Sequence, residues 1–307
     1  MKRREFLKKS LGAGLFAGSL ITFGGYGKIF ANTTLNADIP YDLVAVKDGQ
    51  PEKMFDRAME AMGGMGKFVK SNQTVVVKPN IGWDVIPENA ANTNPALVKR
   101  IVEHCFDAGA KKVYVFDHTC DNWKKCYNNS GIEKAAKEAG AKVAPGHTEG
   151  YYEEVEIPKG KKLTKTKEHE LIHESDVFIN VPILKNHGSA RLTVAMKNLM
   201  GIVWDRRFWH RNDLHQCIAD FASYRKPDLN VVDAYRVMLR NGPKGVSAKD
   251  VSTMKYQIVS DDMVAADTAA AKVFGASIDK VKYIKIAGNS GYGESDLTKL
   301  KIGRFKL

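Results

Sequence analysis

The 307-residue chain has few cysteines, and their spacing excludes common metal and cluster sites. Cys105, Cys120, Cys126 and Cys217 never form the Cys-x-x-Cys spacing of an iron–sulfur or zinc-ribbon site, so the sequence contains no iron–sulfur motif. No glycine pattern matches a phosphate-binding P-loop or a dinucleotide fingerprint. The basic residues are scattered rather than gathered in a stripe, and we therefore expect no nucleic-acid partner.

Three of the cysteines can be interpreted from their surroundings. Cys105 lies on an apolar helical stripe, which predicts a buried core thiol. Cys120 and Cys126 lie in a polar stretch, where they would form either a disulfide in an oxidising compartment or two free thiols. The sequence leaves both alternatives open.

The N-terminal segment predicts export. Arg3–Lys8 gives two arginines, a spacer, an aromatic, an aliphatic residue and a lysine, which is typical of a twin-arginine signal. The following apolar stretch, Leu11–Phe23, is interrupted by glycines and is short for a membrane span, although an uncleaved anchor is an alternative. We predict a signal peptide at residues 1–31, the twin-arginine translocase as a partner, a periplasmic or otherwise extracytoplasmic location, and no stable membrane span after cleavage.

The residues after the export segment are characterised by their net charge and by their length. The export segment carries a net charge of +5 out of the formal +12, which leaves +7 for residues 32–307. This mild basic excess suits a small anionic ligand. No repeat, long linker or low-complexity tract interrupts these residues, so we predict one large domain.

Short β-branched runs alternate with amphipathic helical stretches, which predicts an α/β fold. Asn94 and Pro95 have the residue types of a helix start, and further helices are predicted at 132–139 and 263–274. The predicted strands are Leu43–Val46, Thr74–Val77, Val113–Phe116, Val177–Val181, Leu229–Val232 and Gln257–Val259. Several are apolar throughout, which favours a mainly parallel sheet with helices on both faces.

Polar residues follow five of the predicted strands. They are Lys78 and Asn80, Asp117 and His118, Asn180 with the nearby Lys185 and His187, Asp233, and Ser260–Asp262. Because the carboxyl ends of parallel strands meet at one edge of a sheet, we expect these residues to form one shared polar site.

Two segments between a strand and a helix carry groups suited to an anion. Val181–Gly188 contains Lys185 and His187, and Ala195–Gly201 contains Lys197 and Asn198. Lysine ammonium groups hold phosphate or carboxylate, and a nearby histidine can move a proton at neutral pH.

Two further motifs have competing interpretations. His169–His173 reads H-E-L-I-H, which is either a zinc-protease motif or an exposed helical turn. Trp204–His210 concentrates aromatic residues and arginines, and is either a lid or docking surface or a loop pinned by buried tryptophans. Asn241–Gly245 predicts a turn.

Together these segments resemble the family called domain of unknown function 362. The resemblance rests on Val75–Asn80, Val181–His187, Met196–Gly201, His210, the run ending at Asp233 and Ala234, Asn241–Gly245 and Ser260–Asp267. Many members of that family carry a ferredoxin-like domain with two cysteine-rich motifs, which this chain lacks. The sequence Lys185-Asn186-His187 also departs from the more common Lys-Thr-His. The sheet layout is more loosely similar to that of lactate racemase-like proteins.

We therefore expect an exported enzyme or redox-accessory protein with one anion-accepting site. The basic and amide side is predicted to comprise Lys78, Asn80, Lys185, His187, Lys197 and Asn198, and the acidic side Asp117, Asp233 and Asp267. His187 is the first acid–base candidate and His210 the second. The carboxylates would orient a lysine or histidine or hold a divalent cation, whose identity the sequence does not specify. A non-catalytic extracytoplasmic binding protein for a small anion or metal complex is the alternative, and a zinc metalloprotease is a third.

Overall fold

A ten-stranded mixed sheet organises residues 40–307, which are the residues that the computed structural model describes. The predicted signal peptide at residues 1–31 lies outside them. The strands are β1 Leu43–Lys47, β2 Thr74–Pro79, β3 Lys112–Val115, β4 Lys142–Val143, β5 Tyr152–Glu156, β6 Lys165–His169, β7 Val177–Val181, β8 Ile183–His187, β9 Arg191–Thr193, β10 Leu229–Met238, β11 Val251–Ser260 and β12 Ile302–Lys306. Strands β5 and β6 form a separate antiparallel hairpin.

Ten α-helices accompany the strands in these residues. They are α1 Pro51–Met62, α2 Pro95–Asp107, α3 Trp123–Asn129, α4 Ile132–Glu138, α5 Leu171–Glu174, α6 Ala195–Asn198, α7 Arg206–Arg211, α8 Leu214–Tyr224, α9 Met263–Phe274 and α10 Lys282–Asn289. Helix α2 begins as predicted, because the side-chain oxygen of Asn94 accepts a hydrogen bond from the Ala96 amide at 3.0 Å and Pro95 takes the first helical position. None of the helices in residues 40–307 combines the length and the apolar character that crossing a membrane requires.

The order of strands explains where polar side chains meet. The main path runs β12-β1-β11-β10-β7-β2-β3-β4, with β8 beside β10 and β9 beside β8. Strands β10, β7, β2, β3 and β4 are parallel, whereas β11 is antiparallel to both of its neighbours, β1 and β10. The prediction of a mainly parallel α/β sheet is confirmed.

Helices cover both faces of the sheet, as predicted. Val76 of β2 packs in the layer that contains α8, α9 and α10, while its neighbours Val75 and Val77 pack in the layer that contains α1 and α2. This alternation follows from the two-residue period of a strand, and burial on both faces accounts for the uninterrupted apolar runs.

One expectation about the strand ends is wrong. Because β11 runs antiparallel to β10, Ser260 pairs with Asn230 near the beginning of β10, and the end of β11 lies at the opposite edge of the sheet from the ends of β2, β3 and β7. Asp262 instead begins helix α9 by accepting hydrogen bonds from the amides of Val264 and Ala265. Four strand ends, not five, were therefore available to form the shared site.

The cysteines are free thiols in this structure. Cys105 is buried, as predicted, and burial raises the pKa of its thiol to about 12. Cys126 is also buried, whereas Cys120 is exposed. Of the two alternatives for Cys120 and Cys126, the structure therefore has the unpaired one.

Candidate functional site

A cavity of about 490 Å³ lies at the edge of the sheet where β2, β3 and β7 end. Eight of the ten predicted site residues line it: Lys78, Asn80, Asp117, Lys185, His187, Lys197, Asn198 and His210. They come from the ends of β2 and β3, from β8, and from α6 and α7. The strand-end pattern therefore located one cavity, whose other walls come from segments far apart in the chain.

Lys78 and Asp117 form a buried ion pair in the floor of the cavity. The Lys78 Nζ lies 2.9 Å from Asp117 Oδ1 and donates a hydrogen bond to the Pro79 carbonyl at 2.8 Å. Asp117 Oδ2 accepts from the Ile81 amide at 2.6 Å. Burial lowers the pKa of Lys78, and the carboxylate opposes this effect.

Gly201 lets the backbone approach this ion pair closely. A Cβ atom at Gly201 would collide with Asp117 Oδ1 and would lie 2.6 Å from Lys78 Nζ. The Gly201 carbonyl in turn accepts a hydrogen bond from the His118 amide at 3.0 Å. The absence of a side chain is therefore required where the 3₁₀ turn Leu199–Ile202, which follows α6, passes over the ends of β2 and β3.

Lys185 is held by a chain of side-chain amides. Its Nζ donates to the Ala91 carbonyl and, at 3.2 Å, to Asn80 Oδ1. Asn80 donates to Asn198 Oδ1 at 2.9 Å, and Asn198 donates to Asn180 Oδ1 at 2.9 Å. Burial, reinforced by the nearby cation of Lys197, lowers the pKa of Lys185 to about 7.

Lys197 differs from the other two lysines. Its side chain lines the cavity and the residue is only 9% exposed. Within residues 40–307 its ammonium group has no hydrogen bond or ion pair with a protein group. Burial, followed by repulsion from Arg206 and Lys78, lowers its pKa to about 8.

His187 is positioned as a neutral hydrogen-bond donor. Its Nδ1 lies 3.2 Å from the backbone amides of Ser189 and Ala190, both of which donate, so the ring proton must be on Nε2. Burial and the neighbouring Lys197 lower its pKa to about 2. The first acid–base candidate therefore suits donation to an oxygen better than proton abstraction.

His210 is placed at the rim of the same cavity. Its ring stacks on that of His187, with 6.1 Å between ring centroids and an interplanar angle of 18°. Partial burial, with Lys197 and Arg206 nearby, lowers its pKa and favours the neutral ring. A neutral imidazole at the rim can accept a proton.

Several lining residues were not among the predicted site residues. They include Cys120, Thr193, Arg206 and Arg207. The Arg206 guanidinium donates to the carbonyls of His118 and Thr119 at 2.8 and 2.7 Å, and also to Cys120 Sγ at 3.3 Å. The arginines of Trp204–His210 were a usable signal, but no local pattern shows that they reach the end of β3.

The Trp204–His210 segment borders a second, larger cleft. This cleft of about 920 Å³ shares His118, Cys120, Arg206 and Arg207 with the first cavity and continues to the β5–β6 hairpin. Trp209 is fully buried and anchors the segment, while Trp204 stacks on His118 at 4.8 Å between ring centroids. The segment is therefore pinned by a tryptophan and also forms a wall of the site.

The Asn241–Gly245 loop closes another side of the cavity. The Gly242 amide donates to Asn186 Oδ1 at 3.0 Å, and Lys244 Nζ lies 2.7 Å from Asp121 Oδ2. These contacts hold Pro243 against the cavity.

Asp233 and Asp267 do not line the cavity, which corrects the prediction for both residues. Asp233 accepts hydrogen bonds from the amides of Asn94 and Tyr235 at 2.8 and 3.0 Å. Asp267 accepts from the amides of Ala195 and Met196 at 2.6 and 3.2 Å, at the start of α6. Burial raises the pKa of Asp233 to about 6 and that of Asp267 to about 8. Both carboxyl groups support the backbone rather than a ligand.

The H-E-L-I-H motif does not form one face of a helix. His169 ends β6 and is buried, with Nε2 2.9 Å from the Pro145 carbonyl and Nδ1 accepting from the Leu171 amide. His173 lies on α5 and pairs with Glu168 at 2.8 Å. Both nitrogens of His169 are thus occupied, so the expectation of either a zinc-protease helix or an exposed helical turn is wrong for this residue.

No group of three His, Cys, Asp or Glu side chains in the described part of the chain lies close enough to hold a metal ion. Asp117 is already engaged by Lys78 and by the Ile81 amide. The residues present therefore offer a divalent cation no ready set of ligands, while they offer an anion several donors.

The fold and cavity define an α/β protein with a cationic site at the carboxyl edge of its sheet. The chain belongs to the family described as domain of unknown function (DUF362), whose model matches residues 75–272. A thylakoid-associated protein of Synechocystis sp. is 25% identical over 217 residues, which are 68% of this chain and 65% of that protein. The chain thus spans just under two thirds of that relative.

Two solved structures are similar in outline. The lactate racemase apoprotein from Thermoanaerobacterium thermosaccharolyticum has a TM-score of 0.43 and 13% identity, over 69% of this chain and 53% of that one. A protein from Thermotoga maritima has a TM-score of 0.47 and 10% identity, over 79% of this chain and 60% of that one. Likeness of this degree carries no functional argument.

Proposed function

We propose that this protein binds a small carboxylate- or phosphate-bearing anion in the cavity beyond β2, β3 and β7. One observation carries the proposal: Lys185, Lys197 and Arg206 reach the cavity without a carboxylate partner in residues 40–307. The one carboxylate among the lining residues, Asp117, is already paired with Lys78. The described part of the cavity therefore has a surplus of positive charge.

Burying that surplus is unfavourable, and a bound anion would relieve it. Taking a charge out of water costs several kcal/mol unless a counter-charge and hydrogen bonds compensate. Uncharged donors are also available, since the His187 Nε2 proton is free and the Thr193 hydroxyl has no partner among the described residues. Cationic and neutral donors around one small volume match the oxygens of carboxylate and phosphate.

Calorimetric titration with inorganic phosphate and with pyruvate tests the proposal. Whichever of the two anions binds more tightly, Lys185→Met should weaken its binding about tenfold or more. The substitution removes one desolvated cation and its hydrogen bonds. Lys134→Met is the matched control, since that side chain is 83% exposed and lies on α4. Equal affinity of the wild type and Lys185→Met for both anions would refute the site.

Binding should also take up protons. Because the pKa values of Lys185 and Lys197 are lowered to about 7 and about 8, a fraction of these amines is neutral at pH 8. An incoming anion favours the charged form, so each binding event should bring protons with it. Titrations in buffers of different ionisation enthalpy measure this uptake, and an uptake of zero at pH 8 would contradict the electrostatic account.

We also propose that the protein is exported by the twin-arginine translocase. The proposal rests on Arg3 and Arg4 and on the short apolar stretch that follows. Replacing both arginines with lysine should retain the protein in the cytoplasmic fraction. Lys28→Arg, which lies outside the motif, should leave export unchanged, and export of the double-lysine variant would refute the route.

We further propose that the protein is an enzyme or redox-accessory protein, because a neutral histidine donor and amines of lowered pKa line the same cavity. A non-catalytic binding protein would use the same cations to hold its ligand. The two functions differ in whether the protein changes the bound molecule.

A further inference from the structure

The three buried lysines of the cavity are held in different ways. Lys78 Nζ is occupied by Asp117 and by the Pro79 carbonyl. Lys185 Nζ is occupied by the Ala91 carbonyl and Asn80 Oδ1. Lys197 Nζ alone among the three has no protein acceptor within residues 40–307. Its nitrogen is therefore free to act on a molecule in the cavity.

The setting of Lys197 favours a neutral, nucleophilic amine. Helix α6 carries it, and the carboxyl group of Asp267 fixes the first two amides of that helix. Burial and the cations of Arg206 and Lys78 lower its pKa to about 8. Desolvation and neighbouring cations are the two effects that activate lysine amines for attack on carbonyl groups.

We propose that Lys197 Nζ forms an imine with the carbonyl carbon of an α-oxo acid, or of another carbonyl compound that carries an anionic group, bound in this cavity. This inference rests on the proposed anion binding, because the other cations would hold the anionic group while Lys197 meets the carbonyl carbon.

The step is balanced without an oxidant or reductant. The Nζ lone pair forms a C–N bond, and the carbonyl π electrons move to oxygen, which takes up a proton to give a carbinolamine. Nζ then loses a proton, and the hydroxyl leaves as water after protonation, which gives the C=N bond. The Nε2 proton of His187 is placed to stabilise the developing oxygen charge, and His210 at the rim can take up the released proton.

Borohydride trapping with pyruvate tests the imine. The full-length protein is incubated with pyruvate, reduced with sodium borohydride, digested and mapped by mass spectrometry. We expect one stable adduct on Lys197 that requires pyruvate and is suppressed by excess phosphate. Lys134→Arg should keep the adduct, because its side chain is exposed on α4.

Lys197→Arg separates this inference from anion binding. Arginine keeps the positive charge but remains protonated, so it cannot form the imine. The variant should lose the adduct, while phosphate titration of the same variant measures any change in anion affinity separately. If the variant fails to fold, the position of the adduct on the wild-type chain decides whether the imine forms at Lys197.

An adduct confined to other lysines, or no adduct although pyruvate binds, would overturn the imine proposal and leave anion binding intact. Absence of phosphate and pyruvate binding by the wild type would overturn both proposals.

Discussion

Two regions within residues 40–307 bury ionisable side chains and satisfy them in different ways. The carboxyl groups of Asp233 and Asp267 are fully enclosed, and each accepts two hydrogen bonds from backbone amides. The cationic cavity contains Lys185, Lys197 and Arg206, for which residues 40–307 supply no carboxylate. The first region is complete in itself, and the second is complete only with a ligand.

This difference separates buried groups that hold the fold together from buried groups that a ligand would satisfy. A buried carboxylate that receives amide hydrogen bonds holds backbone segments together, as Asp267 does at the start of α6. A buried ammonium group without an acceptor weakens the free protein and gains from an anion. Removing a group from the first region should therefore destabilise the fold, while removing one from the second should mainly change binding.

The largest effect is expected at the Lys78–Asp117 pair, whose two charges neutralise each other in the floor of the cavity. Asp117→Asn leaves Lys78 buried without its counter-charge and should lower the free energy of unfolding by about 4 kcal/mol. Urea denaturation followed by circular dichroism measures it. Adding Lys78→Met to this variant should recover part of the loss, and a double variant less stable than Asp117→Asn would count against the pairing.

A somewhat smaller loss is expected at Asp267. Asp267→Ala leaves two buried amides at the start of α6 without an acceptor and should cost about 3 kcal/mol. Asp205→Ala, which removes the exposed cap of α7, is the control and should cost about 1 kcal/mol. If the two variants lost equal stability in the same urea titration, Asp267 would be an ordinary helix cap.

Gly201→Ala should cost about 2 kcal/mol and weaken phosphate binding, because its Cβ atom displaces the Lys78–Asp117 pair. Gly150→Ala provides the control, since a Cβ atom there meets no atom within 4 Å. Thermal unfolding and phosphate titration of both variants check the prediction. A Gly201→Ala protein with wild-type stability would show that the floor of the cavity can rearrange to accommodate the added methyl group.

The most gradual effect is expected in the pH dependence of stability, because it accumulates over several pH units. Lys185 and Lys197 have folded-state pKa values of about 7 and about 8, below the ordinary value of 10.5, so the unfolded chain binds more protons between these values. The free energy of unfolding should therefore rise with pH between about 7 and 10, by up to about 1.4 kcal/mol for each unit of pKa shift. Lys197→Met should flatten this rise when urea denaturation is repeated across the range. An unchanged slope would show that Lys197 is solvated in the folded protein.

The sequence predicted much of the fold and of the cavity because both depend on local patterns. Apolar runs such as Val177–Val181 mark doubly covered strands, and Lys78 and Asp117 follow two parallel neighbours directly. Adjacent parallel strands necessarily present their ends together, so these residues could be grouped without knowing the rest of the topology.

The incorrect predictions concern residues whose position depends on the direction of a strand or on the packing of a segment far away in the chain. Asp262 was grouped with the site because its strand was assumed to be parallel, but β11 is antiparallel. Arg206 was left out of the predicted site because it reaches the His118 carbonyl, 88 positions away, through packing of α7 that no local pattern specifies. His169 ends a strand, although H-E-L-I-H has helical spacing.

The amino-acid sequence alone establishes an α/β chain of this family, the supply of lysines, histidines and amides at its strand ends, and the pair of arginines, Arg3 and Arg4, on which the export proposal rests. Only the tertiary structure decides which buried charges are neutralised. Lys185 meets Asn80 across 105 positions, and Asp267 meets Ala195 across 72. Whether a charged group is satisfied depends on such long-range contacts and on the water they exclude, and both exist only in the folded chain.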